Sequence, residues 1–404
     1  MAVKDNNSNR LSELWPAADR EVEVLLHCAR ASIEKTRAER LRDLAAKGLD
    51  WARLLKLAQR NGLSPLLYFH VNQICAASVP DESMRYLRDY FQKNSAFNVL
   101  LTGELASLLD SFNKNGINAV PYKGPAIAAK LYGNLALRQF GDLDILVRKG
   151  DVWKASELII ARGFEPHFLI PEKRRNEFVQ LSYVQLFRRD GGRTLIELHW
   201  GIAPRFFGVR FDADGFWNRL ETMKLQGTTI SVPCAEDLLL MLCVHGAKDC
   251  WEKLEWVCAI AELIRSTDEF DWQRVWQQSR EMRCRVMLVF SLLLAEELFE
   301  ISVPTQIPLT TQRGNLRAMA REVAQDFFSV EVQPRSLLRR IGFHLRLNDT
   351  VADQARHCAS LALTTTPVDW STMSLPAPLS FAYPLLRAIR LTRKYGLNGE
   401  QARS

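Results

Sequence analysis

The sequence lacks any hydrophobic run long enough to cross a membrane. A membrane helix needs about 20 mostly apolar residues, and the nearest approach to such a run is Val286–Ala295. The first residues, Met1–Arg10, are polar and contain no apolar segment of the kind that signal peptides carry. We therefore expect a cytoplasmic protein that is neither secreted nor inserted in a membrane.

Cysteine is also scarce, with 8 residues in a chain of 404. This density is far below that of small disulfide-stabilised proteins, so we expect reduced and mostly buried thiols. Cys243, His245, Cys250 and Cys258 lack the closely spaced cysteine pairs of structural zinc sites. Their spacing describes one face of a helix equally well, and the sequence favours that interpretation over a zinc site.

The excess of positive over negative charge is small. The formal net charge is +7 at pH 7, which suits a phosphate-bearing ligand but does not by itself indicate nucleic-acid binding. Hydrophobic residues make up 47% of the chain, enough to bury a sizeable core. The composition therefore predicts a folded protein with room for two or three domains.

The hydrophobic periodicity changes twice along the chain. Residues 1–115 carry helical patterns, such as the apolar positions after Asp50, a residue suited to capping a helix. Residues 116–232 carry short β-branched runs separated by helices, and residues 233–404 return to helical patterns. The sequence predicts an α/β (α+β) protein in which a mixed sheet lies between two helical regions.

A glycine turn stands at the start of the central region. Ile117–Tyr122 has the pattern of a short strand, and Lys123-Gly124-Pro125 follows it. Proline suits the first turn of a helix, where its missing N–H has no intrahelical partner to lose. We therefore expect a strand, a tight turn and a helix that ends at Gly133.

The most informative segment is Gly141–Val147, where two carboxylates stand two residues apart beside an apolar, β-branched run. Alternate side chains of a strand share one face, so Asp142 and Asp144 should point together. Carboxylates about 4 Å apart repel each other by roughly 4 kcal/mol at an effective dielectric near 20, unless a cation lies between them. The segment therefore predicts a magnesium site.

A third carboxylate stands on a later predicted strand. Tyr183–Phe187 and Thr194–Trp200 flank Asp190-Gly191-Gly192, a sequence typical of a hairpin turn. The second arm carries Glu197, and His199 lies on the same face of that arm. The sequence thus places a third acid on a later strand of the same sheet.

Together these pieces resemble the nucleotidyltransferase superfamily, whose sheet carries a glycine turn, a D-x-D pair and a third carboxylate. They are most similar to a bacterial branch described as uncharacterised nucleotidyltransferases. The segments that carry this resemblance extend over most of the chain and are Pro121–Pro125, Leu131–Gly133, Arg138, Asp142–Val147, Gly163-Phe164, Glu197–Trp200, His245–Lys248, Trp251 and Pro367–Tyr395.

The resemblance implies an enzyme that transfers a nucleoside monophosphate from a nucleoside triphosphate, ATP among the candidates, to an acceptor. It implies Mg²⁺ or Mn²⁺ as the cofactor, held by Asp142 and Asp144 together with the triphosphate. Glu197 would bind the catalytic metal and draw the proton from the acceptor hydroxyl. Three carboxylates suffice, because protein-bound magnesium keeps several water ligands.

Further residues are candidates for binding the nucleotide and its phosphates. Gly124 would let the backbone approach the phosphates at the start of a helix. Lys123 and Arg138 would neutralise phosphate charge, the arginine through its planar fork and the lysine as a point charge. His199 and Lys248 complete this set, although each also fits a structural role.

The chain departs from the family pattern at two positions. Pro125 stands where the wider superfamily usually has serine or glycine, so it offers neither a hydroxyl nor an N–H group. Ala259 stands near a position where many relatives carry an acidic residue. These departures leave open a catalytically inactive domain that binds a nucleotide or a partner protein. A toxin-like transferase that modifies tRNA is a second alternative, and the acceptor could be a small molecule, a peptide, a protein or RNA.

Overall fold

A computed structural model describes residues 19–302, 304–307, 313–329 and 335–364 of the chain. The C-terminal segment Pro367–Tyr395, which shares in the resemblance, lies outside the described residues. Within those ranges, none of the helices combines the length and the apolar character needed to span a membrane.

Helices precede the sheet, as the periodicity predicts. They are α1 (Arg20–Cys28), α2 (Lys35–Ala46), α3 (Trp51–Arg60), α4 (Ser64–Ile74) and α5 (Asp81–Lys114). Asp50 caps α3, because its carboxylate accepts a hydrogen bond of 3.0 Å from the backbone N–H of Arg53. The last of these helices, α5, has 34 residues and is about 50 Å long.

The central region forms a five-stranded mixed sheet and a separate two-stranded hairpin. Its strands are β1 (Ala119–Pro121), β2 (Asp142–Val147), β3 (Glu165–Pro166), β4 (Val184–Arg189) and β5 (Thr194–His199), and the hairpin consists of β6 (Glu221–Leu225) and β7 (Thr228–Val232). Its helices are α6 (Pro125–Tyr132), α7 (Val152–Ala161), α8 (Arg175–Leu181) and α9 (Ala213–Asn218). The strand order is β1-β2-β5-β4-β3, and β2 pairs with β5 in parallel while the other pairs are antiparallel.

The parallel pair sets the acidic residues side by side. In the register of β2 and β5, Asp144 is the direct partner of Glu197, and Leu146 is the partner of His199. The alternate residues Leu143 and Ile145 face the other way and share an apolar cluster with the second half of α5. One face of the sheet thus packs on this apolar cluster, and the other face carries the polar side chains of Asp144, Glu197 and His199.

The expected turn and helix follow β1. Pro125 begins α6, and the helix ends at Gly133, which adopts the left-handed conformation at φ +61°. Gly124, the residue before the helix, also has a positive φ of +54°. The strand, turn and helix predicted from Lys123-Gly124-Pro125 are therefore confirmed.

Helices return after the sheet. They are α10 (Ala235–Lys248), α11 (Leu254–Ser266), α12 (Trp272–Glu281), α13 (Arg285–Phe299), α14 (Arg313–Phe328), α15 (Leu337–Arg346) and α16 (Val351–Leu363). Buried residues of α10 and α11, such as Leu239 and Leu263, share one apolar core with Leu25 and Leu54 from the helices before the sheet. This core lies on the polar-residue side of β2, where Leu146 joins it. The mixed α/β fold is confirmed, and the division at residues 115/116 and 232/233 stays a prediction.

Candidate functional site

The carboxylates of Asp144 and Glu197 meet at the ring of His199. His199 Nε2 lies 3.1 Å from Asp144 Oδ1 and 3.1 Å from Glu197 Oε2. Burial acts to lower the pKa of His199, but the hydrogen bonds to both carboxylates outweigh it and raise the pKa above its ordinary value. A protonated Nε2 therefore donates to the two acids, whereas Nδ1 is buried without a hydrogen-bond partner among the described residues. The sequence predicts His199 as a phosphate-binding residue, and this role stays a prediction; in the structure its ring contacts the two carboxylates.

Lys123 forms an ion pair with the same aspartate. Its Nζ lies 2.5 Å from Asp144 Oδ1, and the side chains are 13% and 2% exposed. Burial acts to raise the pKa of Asp144, but the charge of Lys123 and the hydrogen bond from His199 outweigh it and hold the pKa below its ordinary value. Two cationic groups thus converge on one carboxylate oxygen.

Asp142 lies at the edge of this cluster. Ligand atoms of Asp144, Glu197 and His199 lie within 4.8 Å of one another, and Asp142 is not part of that group. Burial and the negative charge of Asp144 raise the pKa of Asp142 to about 6. The negative charge of its neighbours therefore disfavours ionisation of the Asp142 carboxyl group, and a cation nearby would favour its ionised form.

The glycine turn brings the backbone against the acid strand. A Cβ atom built on Gly124 would lie 3.2 Å from the carbonyl oxygen of Asp142. The residue also has a positive φ of +54°, which side chains other than hydrogen disfavour. Glycine at this position thus allows the start of α6 to approach the backbone of Asp142, the first acidic residue of the pair.

Arg138 is a buried cation with little local compensation. The residue is 7% exposed, and its Nε and Nη1 atoms have no hydrogen-bond partner among the residues that the structure describes. Its carbonyl oxygen accepts hydrogen bonds from Asn94 Nδ2 at 3.1 Å and Asn98 Nδ2 at 2.7 Å. The backbone of Arg138 is therefore held firmly, while the guanidinium lacks the hydrogen bonds that a buried charge normally requires.

These residues line one cavity of about 440 Å³ between the sheet and the helices α10 and α11, which we call the sheet cavity. Its lining includes Asp142, Asp144, Glu197, Lys123, Gly124, Arg138 and Lys248, and His199 contacts two of these residues without lining the cavity itself. Glu197 faces the cavity together with Asp142 and Asp144. Lys123 pairs with Asp144 at the cavity wall, and the cavity is still open beside that pair.

Lys248 reaches the sheet cavity from the last turn of α10. Its Nζ donates to both oxygens of Asp249, at 2.9 and 2.7 Å. Asp249 also lies 3.3 Å from Nδ1 of His245, another residue that lines the cavity. Lys248 thus lines the sheet cavity, but the carboxylate of Asp249 already neutralises its charge in part.

The cavity also contains residues that the sequence did not single out. Glu255 and Trp256 lie at the start of α11, and Lys253 lies just before it. Glu255 is 7% exposed, and burial raises its pKa. Ala259 is fully buried, so the acidic residue of this helix that meets the cavity is Glu255, one turn earlier. The sequence offered no signal for it, because α11 carries a second buried glutamate, Glu262, and no local pattern distinguishes the two.

The donor set suits a divalent cation bound through oxygen. Asp144 Oδ2 and Glu197 Oε1 take no part in the contacts with Lys123 and His199, and Asp142 lies beside them in the cavity. Carboxylate oxygens are the ligands that Mg²⁺ and Mn²⁺ prefer. Among the residues that the structure describes, Asp144, Glu197 and His199 are the group that could hold a metal, and the cysteines near His245 form none.

A family model described as "uncharacterised nucleotidyltransferase" matches residues 47–300, which is more than half of the chain. The matched range includes the glycine turn, both acidic strands and the helical residues of the sheet cavity. No curated protein matches the chain.

Proposed function

The chain belongs to the family of uncharacterised nucleotidyltransferases, and we propose that it transfers a nucleoside monophosphate from ATP or another nucleoside triphosphate to an acceptor hydroxyl. The observation that carries this proposal is the register of the parallel strands. It places Asp144 beside Glu197 at a cavity that also contains the basic side chains of Lys123, Arg138 and Lys248. Clustered carboxylates beside clustered cations suit a metal-bound polyphosphate.

We propose that Asp142, Asp144 and Glu197 hold Mg²⁺ or Mn²⁺. A bound cation would supply charge neutralisation at the phosphate oxygens and fix their geometry relative to the acceptor. His199 supports two of these acids, because its Nε2 donates to Asp144 and Glu197. It thereby keeps the two carboxylates oriented toward the sheet cavity.

The remaining residues bind the triphosphate and move the proton. Arg138 is buried and lacks hydrogen bonds at Nε and Nη1, so the charge of a phosphate would compensate it. Lys123 and Lys248 add further positive charge. The oxygen of the acceptor hydroxyl bonds to the α-phosphorus, and Glu197 accepts the proton of that hydroxyl. The α–β phosphoanhydride bond then breaks, and pyrophosphate leaves with the bonding electrons.

The test is incubation with each α-³²P-labelled triphosphate, Mg²⁺ or Mn²⁺ and cell extract. The wild type should transfer label to an acceptor, and Asp144→Asn and Glu197→Gln should not. Of the two variants, Glu197→Gln should disturb folding less, since the Glu197 side chain is 34% exposed whereas that of Asp144 is 2% exposed. Asp110→Asn, an exposed surface change on α5, is the matched control and should retain full activity.

Two results would overturn the proposal. Transfer of label from the γ position instead of the α position would indicate a kinase-like reaction. Undiminished transfer by Glu197→Gln and Asp144→Asn would remove the carboxylates from the reaction. The labelled product in the successful case would also identify the acceptor class.

The ion pair of Lys123 and Asp144 specifically favours a second candidate, a domain that binds a nucleotide without turnover. The ammonium group already supplies positive charge to the aspartate, which a permanently metal-free site would require. Each triphosphate would then raise the melting temperature without any transfer of α label. A ligand present at 100 times its Kd should stabilise the protein by about 2.7 kcal/mol.

A further inference from the structure

A second cavity opens at the carboxyl ends of the parallel strands β2 and β5. It encloses about 560 Å³, and we call it the strand-end pocket. The lining residues that matter here are Arg148, Lys149, Tyr183, Trp200, Arg205 and Trp217. None of its lining residues belongs to the sheet cavity, so the same pair of strands serves two distinct recesses.

Tyr183 lies between the two recesses. Its ring lines the strand-end pocket, and the ring centroid lies 5.9 Å from that of His199. Burial and the negative charges of Glu197 and Asp249, two residues of the sheet cavity, raise the pKa of Tyr183. Asp144 precedes Val147 on β2 by a strand distance of about 10 Å. Buried Leu146 and His199 lie along that distance on the same face, so an acceptor bound in the pocket would reach Glu197 by passing beside Tyr183.

The charge of the strand-end pocket favours an anion. Arg148, Lys149 and Arg205 line it, opposed by Asp214. The ion pair of Arg148 with Asp214 has a separation of 3.6 Å, and the aspartate is 95% exposed, so solvent weakens it. Lys149 forms no ion pair within the part of the chain that the structure describes.

The walls of the pocket favour a planar ring. The indole N–H of Trp200 donates to the carbonyl oxygens of Val179 and Ser182, both at 2.9 Å, and this ring is 4% exposed, so it forms the buried floor beneath the pocket. The Arg148 guanidinium lies 4.9 Å from the centroid of the Trp217 ring. Stacked arginine and aromatic surfaces accommodate flat, electron-rich ligands.

Resting on the proposed function, we propose that the strand-end pocket binds the acceptor, and that this acceptor carries an anionic group on a planar ring. The anion would contact Arg148 and Lys149, and the ring would lie beside Trp217. The acceptor hydroxyl would extend past Tyr183 toward Glu197. Its oxygen then bonds to the α-phosphorus, its proton passes to Glu197, and pyrophosphate departs.

Phenyl phosphate is the probe, because it combines a planar ring with an anion. Isothermal titration should show binding to the wild type and at least a tenfold loss in the double variant Arg148→Met, Lys149→Met. Phenol and inorganic phosphate should each bind more weakly than phenyl phosphate. The control double variant Arg188→Met, Lys224→Met changes two basic residues that line neither recess and should bind like the wild type.

Arg138→Met separates the two recesses. Phenyl phosphate binding should persist in this variant, and its loss there, or its persistence in the Arg148→Met, Lys149→Met variant, would overturn the acceptor assignment. Labelling in extract should fall in the latter variant while its triphosphate affinity stays unchanged. If the wild type binds phenyl phosphate but no triphosphate, the proposed transfer fails and the pocket is left as an anion site unconnected with it, which also overturns the acceptor role.

Discussion

Lys123 Nζ lies 2.5 Å from Asp144 Oδ1, so a lysine of the glycine turn contacts the carboxylate that is proposed to hold a cation. Asp144 lies on β2, which pairs with β1 in antiparallel, and Lys123 lies in the turn two residues beyond the end of β1. A cation at Asp144 and the ammonium of Lys123 repel each other at this distance. Metal binding and the ion pair are therefore in competition, and a triphosphate offers Lys123 a new partner.

We predict that Lys123→Met binds Mn²⁺ alone at least tenfold more tightly than the wild type does, because the competing charge is gone. The same variant should bind triphosphate more weakly, since one phosphate contact is lost. Titration of Mn²⁺ by calorimetry, with and without triphosphate, measures both effects. Lys224→Met, an exposed change on β6, should alter neither affinity.

A further consequence concerns stability. Without metal, Lys123→Met leaves the buried Asp144 with fewer partners, so its melting temperature should fall and Mn²⁺ should restore it. The melting temperature of the wild type should change less on addition of Mn²⁺. Equal Mn²⁺ affinity in both proteins would show that Asp144 does not hold the cation.

We predict that Arg138→Met weakens triphosphate binding by about tenfold to a hundredfold, the range of one or two charged hydrogen bonds. Its melting temperature without nucleotide should stay constant or rise, because the substitution removes a buried guanidinium that lacks hydrogen bonds at Nε and Nη1. Differential scanning fluorimetry and titration with triphosphate separate the two effects.

The alternative for Arg138 is a purely structural role as the counter-ion of Glu255. The charge of Arg138 does act on the Glu255 carboxyl, whose pKa burial raises. In that case Arg138→Met would lose stability and keep its triphosphate affinity. Arg188→Met changes an exposed side chain of β4 and is the control for loss of an arginine charge.

The local parts of the site could be predicted from the sequence, and the partners across space could not. Alternation along β2 placed Asp142 and Asp144 on one face, and alternation along β5 placed Glu197 and His199 on one face. The pairing of Asp144 with Glu197 depends on the parallel register, which no local pattern determines. The sequence therefore indicated which side chains share a face without indicating which strands adjoin.

The fold shows the same limit. The cap at Asp50 and the glycine end of α6 were confirmed, because capping depends on a few neighbouring residues. The contribution of Glu255 and Trp256 to the sheet cavity was missed, since it arises when α11 packs over the sheet. Helical periodicity predicts the buried face of such a helix but not the residue at its end that meets a distant strand.

His344 should make stability depend on pH. Burial and the positive charge of His357 lower the pKa of His344 from 6.5 to about 4. Its Nε2 lies 3.1 Å from the carbonyl oxygen of Lys248 and 3.4 Å from Cys250 Sγ. Between these pH values the unfolded chain binds the proton more readily than the folded protein, so stability falls as the pH decreases from 6.5 to about 4.

The loss from this histidine amounts to about 3 kcal/mol at the lower pH, at roughly 1.4 kcal/mol for each pH unit. Urea denaturation at pH 7, 6, 5 and 4 measures it. His344→Gln should flatten the pH dependence relative to the wild type, and His167→Gln, at an exposed histidine elsewhere, should leave it unchanged. Identical slopes in the wild type and His344→Gln would contradict the assignment.

The two glycines that flank α6 both have a positive φ, but their ψ angles of −125° at Gly124 and +1° at Gly133 differ, and so do their surroundings. Gly124 and Gly133 have φ values of +54° and +61°. A Cβ on Gly133 meets no atom within 4 Å, whereas a Cβ on Gly124 lies 3.2 Å from the carbonyl oxygen of Asp142. Gly133→Ala should therefore cost only backbone strain, about 1 kcal/mol. Gly124→Ala should cost about 1–3 kcal/mol and also displace Asp142, so its Mn²⁺ affinity should fall while that of Gly133→Ala stays at the wild-type value. Equal Mn²⁺ affinity in both variants would show that Asp142 is not a ligand of the cation, and Asp144 and Glu197 would remain as its carboxylate ligands.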